Sequence, residues 1–490
     1  MIETRTYPAI RVSGRRENAF TSEAGIVAAA CVVAIATLWF AGHGPALRVA
    51  IPAIAAMLGL FLYLRHPILY VQYALWVWFL APLVRRVVDL RFGWTDPNFI
   101  LLAPLMVSAV AGLTLLRRNA EVAGGFPAVF VLCGTAILYG FIVGTLQHPG
   151  VETTYAFLNW LCPMLFGLHL YFSWPLYQQY TVAIRRAFLW GVLIVGIYGV
   201  YQFLNPPAWD LYWLENIRVG SPGSSFGVPE PMMVRVWSTI NAPGPFANMM
   251  MVGLLLLFSV RSVWKLPAAA AGYVSLLLSA VRSAWLGWVV GLFWVLKDAS
   301  SRVVTRIVLS IVVLLVCLVP VVTQPHLANV IGTRFESFSD LGHDESLGAR
   351  EKMYLVLTGD ALSDPFGKGF SNLEEVHGIA IDSGVLILLF SMGWLGSVLF
   401  GAGMFSLFLL KGQAFEKHDE FLSVCKAAMI ALLAQVIGGN VFVSITGVML
   451  WMLAGMYLAA HKYHNYASRG IEETIASGGL EIFQPALQER

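Results

Sequence analysis

Long runs of apolar residues alternate with short polar connections along almost the whole chain. A run of about 17 to 25 such residues is long enough to cross the hydrocarbon core of a bilayer as one helix. Runs of this kind begin near residue 24 and recur as far as residue 461. The pattern therefore predicts an all-α polytopic integral membrane protein with about 14 transmembrane helices, within a range of roughly 12 to 14.

Two polar intervals are much longer than the other connections, and they divide the chain. The predicted segments are an N-terminal arm (1–23), an N-terminal transmembrane bundle (24–204), a polar loop (205–240), further transmembrane helices (241–323), a large polar loop (324–381), C-terminal transmembrane helices (382–461) and a tail (462–490).

Basic residues are unequally distributed between the two sides of the predicted membrane. Lys and Arg are more frequent in cytoplasmic loops, so their distribution sets the orientation of a multi-pass protein. The connections on the same side as the N-terminus carry the larger share, including arginine pairs at 15–16, 117–118 and 185–186. The bias predicts that both termini are cytoplasmic. It also predicts that the two long polar intervals and Arg282 face the opposite side.

The larger polar loop has internal order. Apolar residues recur at helical spacing between Ser346 and Leu362, which predicts an amphipathic helix lying on the membrane or over a cavity. Asp364-Pro365 ends this stretch, and the glycine-rich turn PFGKGF (365–370) follows. The loop is therefore predicted to be partly helical.

The composition excludes several classes of protein. Charged residues make up 12% of the chain, compared with about 25% in soluble proteins. The net charge of +3 argues against nucleic acid as a partner. Five cysteines without paired spacing indicate neither a disulfide framework nor a metal site. The phosphate-binding loop of ATPases is missing from the sequence, and the DxD-type acidic pair of metal-dependent nucleotide-sugar transferases is missing from the predicted outer loops. We therefore predict neither a metal nor a cofactor.

Two arginines on the predicted outer side are candidates for binding an anion. Arg235 precedes one apolar run, and Arg282 lies between two closely spaced runs. A guanidinium group grips phosphate or diphosphate through two parallel hydrogen bonds. The alternative is that each arginine extends to the interface or pairs with a nearby acid.

A histidine and three acids stand at the start of the next predicted span. His377 has Glu374 and Glu375 on one side and Asp382 on the other. Neutral imidazole accepts a proton from an attacking hydroxyl near pH 7, and a carboxylate can orient the ring. Titratable groups at this depth are costly to desolvate, which favours a functional role. The alternative is an interfacial histidine bonded to a loop carbonyl.

A third cluster mixes cations, an acid and an aromatic ring, as a sugar-binding groove does. The alternative is an ordinary interfacial group of ion pairs with a tryptophan of the aromatic belt. Its members are Arg85, Arg86, Asp89, Arg91 and Trp94.

Three stretches resemble the O-antigen ligase and Wzy-type polysaccharide polymerase superfamily. RVWSTINAPGPFA (235–247) resembles its arginine followed by an Asn-Pro-like helix entry. SAVRSAWLGWVVGL (279–292) resembles its arginine-containing helix junction. Residues 361–400 resemble its outer loop, in which a Pro-x-Gly turn precedes a histidine and a leucine-rich span.

This resemblance implies a metal-independent glycosyltransferase of the bacterial inner membrane, with its active site facing the periplasm. The donor would be a polyprenyl-diphosphate-linked oligosaccharide, held by Arg235 and Arg282. His377 would be the base that activates an acceptor glycan, although Asp382 could serve instead. Gly378, where the ligases usually have Asn, and the IDSG stretch (381–384) favour polymerisation of exopolysaccharide, capsule or O-antigen repeat units over transfer to lipid A-core.

Other readings stay open. A polysaccharide flippase or secondary transporter would carry charged or unwound positions near the middle of the bilayer. A non-catalytic scaffold would tolerate replacement of His377 and both arginines. The expected partners are the lipid bilayer, the lipid-linked oligosaccharide, the acceptor glycan, and chain-length regulators or export proteins of a polysaccharide assembly system.

Overall fold

The computed structural model describes residues 23–117, 125–218, 226–297, 345–370, 381, 383–410 and 419–476, with isolated positions between 301 and 316. These residues are overwhelmingly helical and include no β-strand; one isolated bridge joins Gly227 to Val234. The prediction of an all-α protein is confirmed.

The described helices are, in chain order, α1 (Glu23–Phe40), α2 (Gly44–Arg65), α3 (Pro67–Phe92), α4 (Phe99–Arg117), α5 (Ala128–Gln147), α6 (Val151–Phe172), α7 (Tyr177–Leu204), α8 (Ala208–Arg218), α9 (Pro243–Ser259), α10 (Lys265–Leu278), α11 (Arg282–Lys297), α12 (Glu345–Ser363), α13 (Gly384–Ser406), α14 (Glu420–Leu433) and α15 (Ser444–Ala476).

Nine helices within the described ranges are long and apolar enough to cross a membrane. They are α1 to α5, α7 and α13 to α15, while α9 and α10 are shorter apolar helices. The chain is therefore a multi-pass membrane protein. The count of about 14 is not reached by these helices, and the predicted span 306–323 falls largely outside the described residues.

The buried fraction of each helix shows whether it lies at the centre or at the edge of the bundle. In α15, 94% of the apolar window is buried, compared with 6% in α1, so α15 is central and α1 peripheral. Gly455 of α15 packs directly on the backbone of Gly167 in α6, where an added Cβ would collide with a carbonyl oxygen. Small residues of this kind let membrane helices approach closely.

The predicted amphipathic helix is present as α12, within one residue of its expected limits. Its apolar side chains pack on the first turns of α13: Met353, Leu357 and Ala361 form a small buried cluster with Leu386 and Phe390. The neighbour of α12 is therefore a helix of the bundle, which the sequence pattern did not specify.

A polar cluster joins three helices at the end of the bundle where α7 and α14 begin. Asp419 caps α14, and its Oδ2 accepts hydrogen bonds from Tyr177 (2.8 Å) and His464 (3.1 Å). Burial alone raises the pKa of Asp419, but the bonds from His464, Tyr177 and the Leu422 N–H together hold that pKa below its usual value. The ionised carboxylate therefore stabilises the contact between α7, α14 and α15.

Replacing Asp419 with alanine should lower the free energy of unfolding at pH 7 by about 1 to 2 kcal/mol, because a cap and two buried hydrogen bonds are lost. A carboxyl group whose pKa is lower in the folded state stabilises above its unfolded pKa of about 3.9. That stabilisation is lost as pH falls through the folded pKa. The difference between wild type and variant, measured by thermal unfolding in detergent, should therefore shrink below about pH 4.

The matched control is Glu420→Gln. Glu420 forms a more exposed ion pair with Arg261 at 3.2 Å, a type of contact that contributes about 0 to 1 kcal/mol. A difference for Asp419→Ala that stays constant from neutral to strongly acidic pH would contradict the role of the ionised carboxylate.

Candidate functional site

Arg235 lies against the junction that contains Arg282. Its Nε donates to the carbonyl oxygen of Ser279 at 3.2 Å, and its Nη2 donates to that of Ala280 at 3.3 Å. Ala280 has a φ of +54°, so the chain turns sharply before α11 begins at Arg282. The structure thus brings together the two regions that the sequence had singled out separately, 47 positions apart in the numbering.

The backbone around Arg235 is fixed on both sides. The Arg235 N–H donates to the Phe226 carbonyl at 2.8 Å, and the Val236 N–H donates to the Leu278 carbonyl at 3.2 Å. The second bond attaches the segment to the end of α10, and the first attaches it to the chain that follows α8. Arg235 is consequently held at the end of the bundle where α3, α7 and α10 end and α9 and α11 begin, which we call the site end.

A fully buried network supports the residues that follow Arg235. Arg86 of α3 donates from Nη1 to Asp210 of α8 and from Nη2 to the Ser238 carbonyl, both at 2.6 Å. Gln202 of α7 donates to Asp210 at 2.6 Å. Arg86, Gln202, Asp210 and Ser238 are all 0% exposed. Such pairing is required, since a buried charge without a partner is strongly destabilising.

Gln202 also binds the loop backbone directly. Its Oε1 accepts hydrogen bonds from the N–H groups of Trp237 (3.1 Å) and Ser238 (2.8 Å). Ser238 has a φ of +52°, a conformation that L-residues adopt only when the surroundings impose it. The network therefore fixes the path of the chain between Arg235 and the start of α9.

The buried carboxylate of Asp210 is stabilised by a cation and by hydrogen-bond donors. Burial raises the pKa of Asp210, and the Arg86 guanidinium opposes that shift. Tyr198 adds a third donor to the carboxylate at 2.8 Å, and Trp209 donates to the Tyr198 hydroxyl at 2.7 Å. Both carboxylate oxygens of Asp210 therefore accept hydrogen bonds from within the fold.

The cluster at residues 83–97 divides between two sides of α3. Arg86 points into the network just described, whereas Arg85 and Asp89 pair with each other at 3.2 Å. Arg48 of α2 and Asn98 also bind the Asp89 carboxylate, at 3.2 and 2.9 Å. Asp89 is 0% exposed and Arg85 is 7% exposed.

Arg91 and Trp94 are the more accessible members of that cluster. The Arg85 guanidinium lies 4.7 Å from the Trp94 ring centre. Arg91 is exposed and lies over Trp39. Direct contact with a glycan stays a prediction for all five residues. The burial of Arg86 and Asp89 gives these two a structural role in supporting the surrounding segments.

The glycine-rich turn inserts between α5 and α13. The Lys368 N–H donates to the Phe390 carbonyl at 2.7 Å, and the Trp394 N–H donates to the Pro365 carbonyl at 2.9 Å. Between those two positions α13 is broken at Gly393, whose φ is +57°. The turn thus satisfies backbone groups that the break in the helix releases, as membrane proteins require.

Glycines make this insertion sterically feasible. Gly369 has a φ of +71°, and a Cβ there would collide with the backbone nitrogen of Gly144. Phe370 follows, 1% exposed, and stacks on Trp160 with 5.7 Å between ring centres. The residue immediately before 371–380 is therefore anchored in the core of the bundle.

Replacing Gly369 with alanine should prevent the turn from seating, because the new methyl group meets backbone atoms that cannot move aside. We expect a loss of about 1 to 3 kcal/mol in the free energy of unfolding. The control is Gly359→Ala in α12, where an added Cβ meets no atom within 4 Å. That variant should be neutral or slightly more stable. Equal thermal midpoints for the two variants would contradict the insertion.

The chain on the C-terminal side of residues 371–382, which include His377, is also held in place by hydrogen bonds. Ser383 caps α13, and its hydroxyl lies 2.6 Å from the Tyr354 hydroxyl of α12. Tyr354 also donates to the Ile437 carbonyl at 2.8 Å, beyond the end of α14. Gln435 donates to the Ser283 carbonyl at 2.8 Å, next to Arg282. The starts of α11 and α13 therefore share a neighbour, the chain just after α14.

Three predicted catalytic residues, Glu374, His377 and Asp382, lie outside the described residues. Their roles stay predictions. Among the described residues, no group of three or more His, Cys, Asp or Glu side chains converges as a metal site would require.

Several residues of the site end carry no signal in the sequence. Asp210 and Gln202 are single polar residues between apolar neighbours, and neither belongs to a motif that would have drawn attention to it. Asn241 and Asn248, near the start of α9, have buried Oδ1 atoms without a hydrogen-bond partner among the described residues. Unpartnered buried acceptors are uncommon and suit a ligand that carries hydroxyl donors.

No family model, curated protein or solved structure matches this chain. Two arginines and the N-terminus of α11 concentrate positive charge at the site end, which is suited to a diphosphate.

Proposed function

We propose that the chain is a glycosyltransferase that polymerises polyprenyl-diphosphate-linked oligosaccharide repeat units at the periplasmic face of a bacterial inner membrane. The observation that carries this proposal is the contact of Arg235 with the Ser279–Ala280 turn, immediately before Arg282. A diphosphate bound there would meet two guanidinium groups and a helix N-terminus. The resemblance of residues 200–410 to polysaccharide polymerases and ligases supports the same assignment.

The chemistry of the donor fits this arrangement. When the glycosidic bond to a lipid diphosphate breaks, negative charge grows on the leaving oxygen. Catalysis then depends on positioning the acceptor and on fixed positive groups that stabilise that charge. Arg235 and Arg282 would supply the charge, so the proposal requires no metal ion and no nucleotide.

His377 would take the proton of the acceptor hydroxyl, with Glu374 or Asp382 orienting the imidazole. Asp382 is the alternative base. Supporting this role, both described flanks of the segment are fixed at specific places: Phe370 in the aromatic core and Ser383 at the start of α13. A segment tied at both ends loses less conformational freedom when it meets its substrate.

The described charges favour an enzyme over a transporter. The ion pairs of the described residues lie close to the ends of the helices: Arg85, Arg86 and Asp89 in the last two turns of α3, and Asp419 before α14. Transporters place such groups at midplane, on unwound helices. The break of α13 at Gly393 has its neighbouring backbone groups paired with the inserted turn.

The test is a reconstitution of the purified protein with polyprenyl-diphosphate-linked repeat units alone, followed by sizing of the products. A ladder that disappears in His377→Ala supports a polymerase with that base. A ladder that persists in His377→Ala and disappears in Asp382→Asn moves the role of base to Asp382. Product formed only when lipid A-core is added identifies a ligase. No product with either acceptor contradicts the proposal.

A further inference from the structure

A hydrophobic groove runs between α1, α2 and α3, on the outside of the bundle. Its volume is about 310 Å³, near the lower limit of pockets that hold small molecules, roughly 300 to 1,000 Å³. Every side chain of its lining is hydrophobic. Among these are Ile35 and Trp39 of α1, Leu47 and Ile51 of α2, and Val84 and Val88 of α3.

The groove is separate from the main core. Leu47, Ile51 and Val88 belong to a small hydrophobic cluster of their own with Ile100, against which Trp39 packs. Since α1 buries little of its surface, the groove is bordered by a helix that faces the surrounding lipid. An apolar occupant from the bilayer can therefore reach the groove.

A cation stands at the mouth of the groove. Arg91 is exposed, and its guanidinium carbon lies 4.6 Å from the centre of the Trp39 ring, which lines the groove. No described carboxylate lies within ion-pair distance of Arg91. The groove therefore combines an apolar wall with an accessible positive charge at one end.

The local charge balance is positive. Arg48, Arg85 and Arg91 face two carboxylates, those of Asp89 and Asp96. Asp89 is buried and already shared by Arg48 and Arg85. The cluster can therefore accept one further anionic group.

Arg91 and the groove follow each other along α3 in the same order as the headgroup and the acyl chain of a phospholipid. Arg91 is the second-last residue of α3, while Val88 and Val84 lie deeper on the same face. Seven helical residues span about 10 Å, so a phosphate at Arg91 would place the first carbons of an acyl chain beside Val88 and Val84. The exposed arginine thus stands at headgroup level and the groove at acyl level.

This groove is distinct from the site end. Arg86 projects from the opposite side of α3, towards Asp210 of α8 and the Ser238 carbonyl. With 100° per residue, Arg86 and Val84 differ by about 200° around the helix axis. The occupant of the groove therefore does not compete with a diphosphate near Arg235.

We propose that this groove binds one acyl chain of an anionic phospholipid, whose phosphate pairs with Arg91. The bound lipid would hold the peripheral helix α1 against α2 and α3. An anionic headgroup satisfies the positive cluster, whereas a zwitterionic headgroup brings its own cation close to Arg91.

The test compares retention of phosphatidylglycerol and phosphatidylcholine with identical acyl chains, by native mass spectrometry of the full-length protein in detergent. We expect wild type to prefer phosphatidylglycerol by about five-fold, the effect of one cation near an anionic headgroup. Arg91→Gln should remove this preference and Arg91→Lys should keep it. Val84→Trp should reduce retention of both lipids, because Val84 is 37% exposed and indole fills the groove without disturbing the core.

Arg117→Gln is the matched control. Arg117 likewise lies over an aromatic ring: its guanidinium carbon is 5.7 Å from the centre of the Tyr63 ring. It stands at the end of the bundle opposite to Arg91. Its replacement should leave the preference unchanged. Equal retention of the two lipids by wild type, or an equal loss of preference in Arg91→Gln and Arg117→Gln, would overturn the proposal.

A photo-cross-linking side chain at position 84 identifies the occupant in native membranes. A mass increase equal to one phospholipid supports the proposal. Cross-linking to residues 1–22 or to a second copy of the chain would show that protein fills the groove, and would overturn it. This readout does not depend on transferase activity, so it is independent of the proposed function.

Discussion

Replacing Arg235 with alanine should reduce polymer formation by at least about 100-fold, the effect expected when one group that stabilises developing negative charge is removed. Arg235 is fixed by the carbonyl oxygens of Ser279 and Ala280 and by the backbone bonds on either side of it. Its guanidinium is therefore preorganised at the turn that precedes Arg282. Water entering the space left by the side chain cannot reproduce a fixed positive charge.

Arg282→Ala should cause a loss of similar size. If both arginines bind the same diphosphate, the double variant should lose much less than the product of the two single effects, because residues that act as a unit are not additive. Arg235→Lys should recover only part of the activity, since an ammonium group cannot reproduce the planar pair of donors.

The measurement is initial rate of ladder formation in proteoliposomes, at equal protein content. Arg261→Ala is the control, because Arg261 forms an exposed ion pair with Glu420 at the opposite end of the bundle. Full output from Arg235→Ala and Arg282→Ala at normal expression would contradict the diphosphate site.

Replacing Arg86 with alanine should destabilise the folded protein by about 3 to 5 kcal/mol, the usual effect of removing one partner of a buried ion pair. Asp210 would be left without its cation, and the Ser238 carbonyl would keep only the longer hydrogen bond from Gln202, at 3.5 Å. We expect a marked fall in the thermal midpoint in detergent and reduced protein in membranes.

A double variant separates stability from positioning. Arg86→Met with Asp210→Leu removes both buried charges and fills similar volume, which is often neutral or stabilising. Thermal stability should therefore recover largely. Activity should stay low, because the Ser238 carbonyl still lacks the Arg86 donor and the Gln202 amide lacks the Asp210 carboxylate that orients it.

The exposed pair of Arg261 and Glu420 again provides the comparison, since Glu420→Gln should change the free energy of unfolding by about 0 to 1 kcal/mol. An Arg86→Ala protein with wild-type stability would contradict the network. Recovery of full activity in the double variant would show that the network stabilises the fold without positioning Arg235.

Apolar runs predicted the helices well because length and hydrophobicity are local properties. The end of the predicted N-terminal bundle at residue 204 coincides with the end of α7, and the predicted helix 346–362 is present as α12. The short helix α8 was missed, since it lies in an interval that looked merely polar. The break at Gly393 was also missed, because glycine is ordinary within a membrane span and only the inserted turn makes the break stable.

The sequence by itself determined the all-α membrane class, the two long polar intervals and the candidate arginines 235 and 282. Each of these depends on residues close together in the chain. Tertiary structure alone decided that Arg235 meets the turn before Arg282, and that Arg86 pairs with Asp210, 124 positions away. The physical reason is that hydrophobicity drives each helix into the bilayer independently. Which polar groups become partners depends on which helices pack side by side.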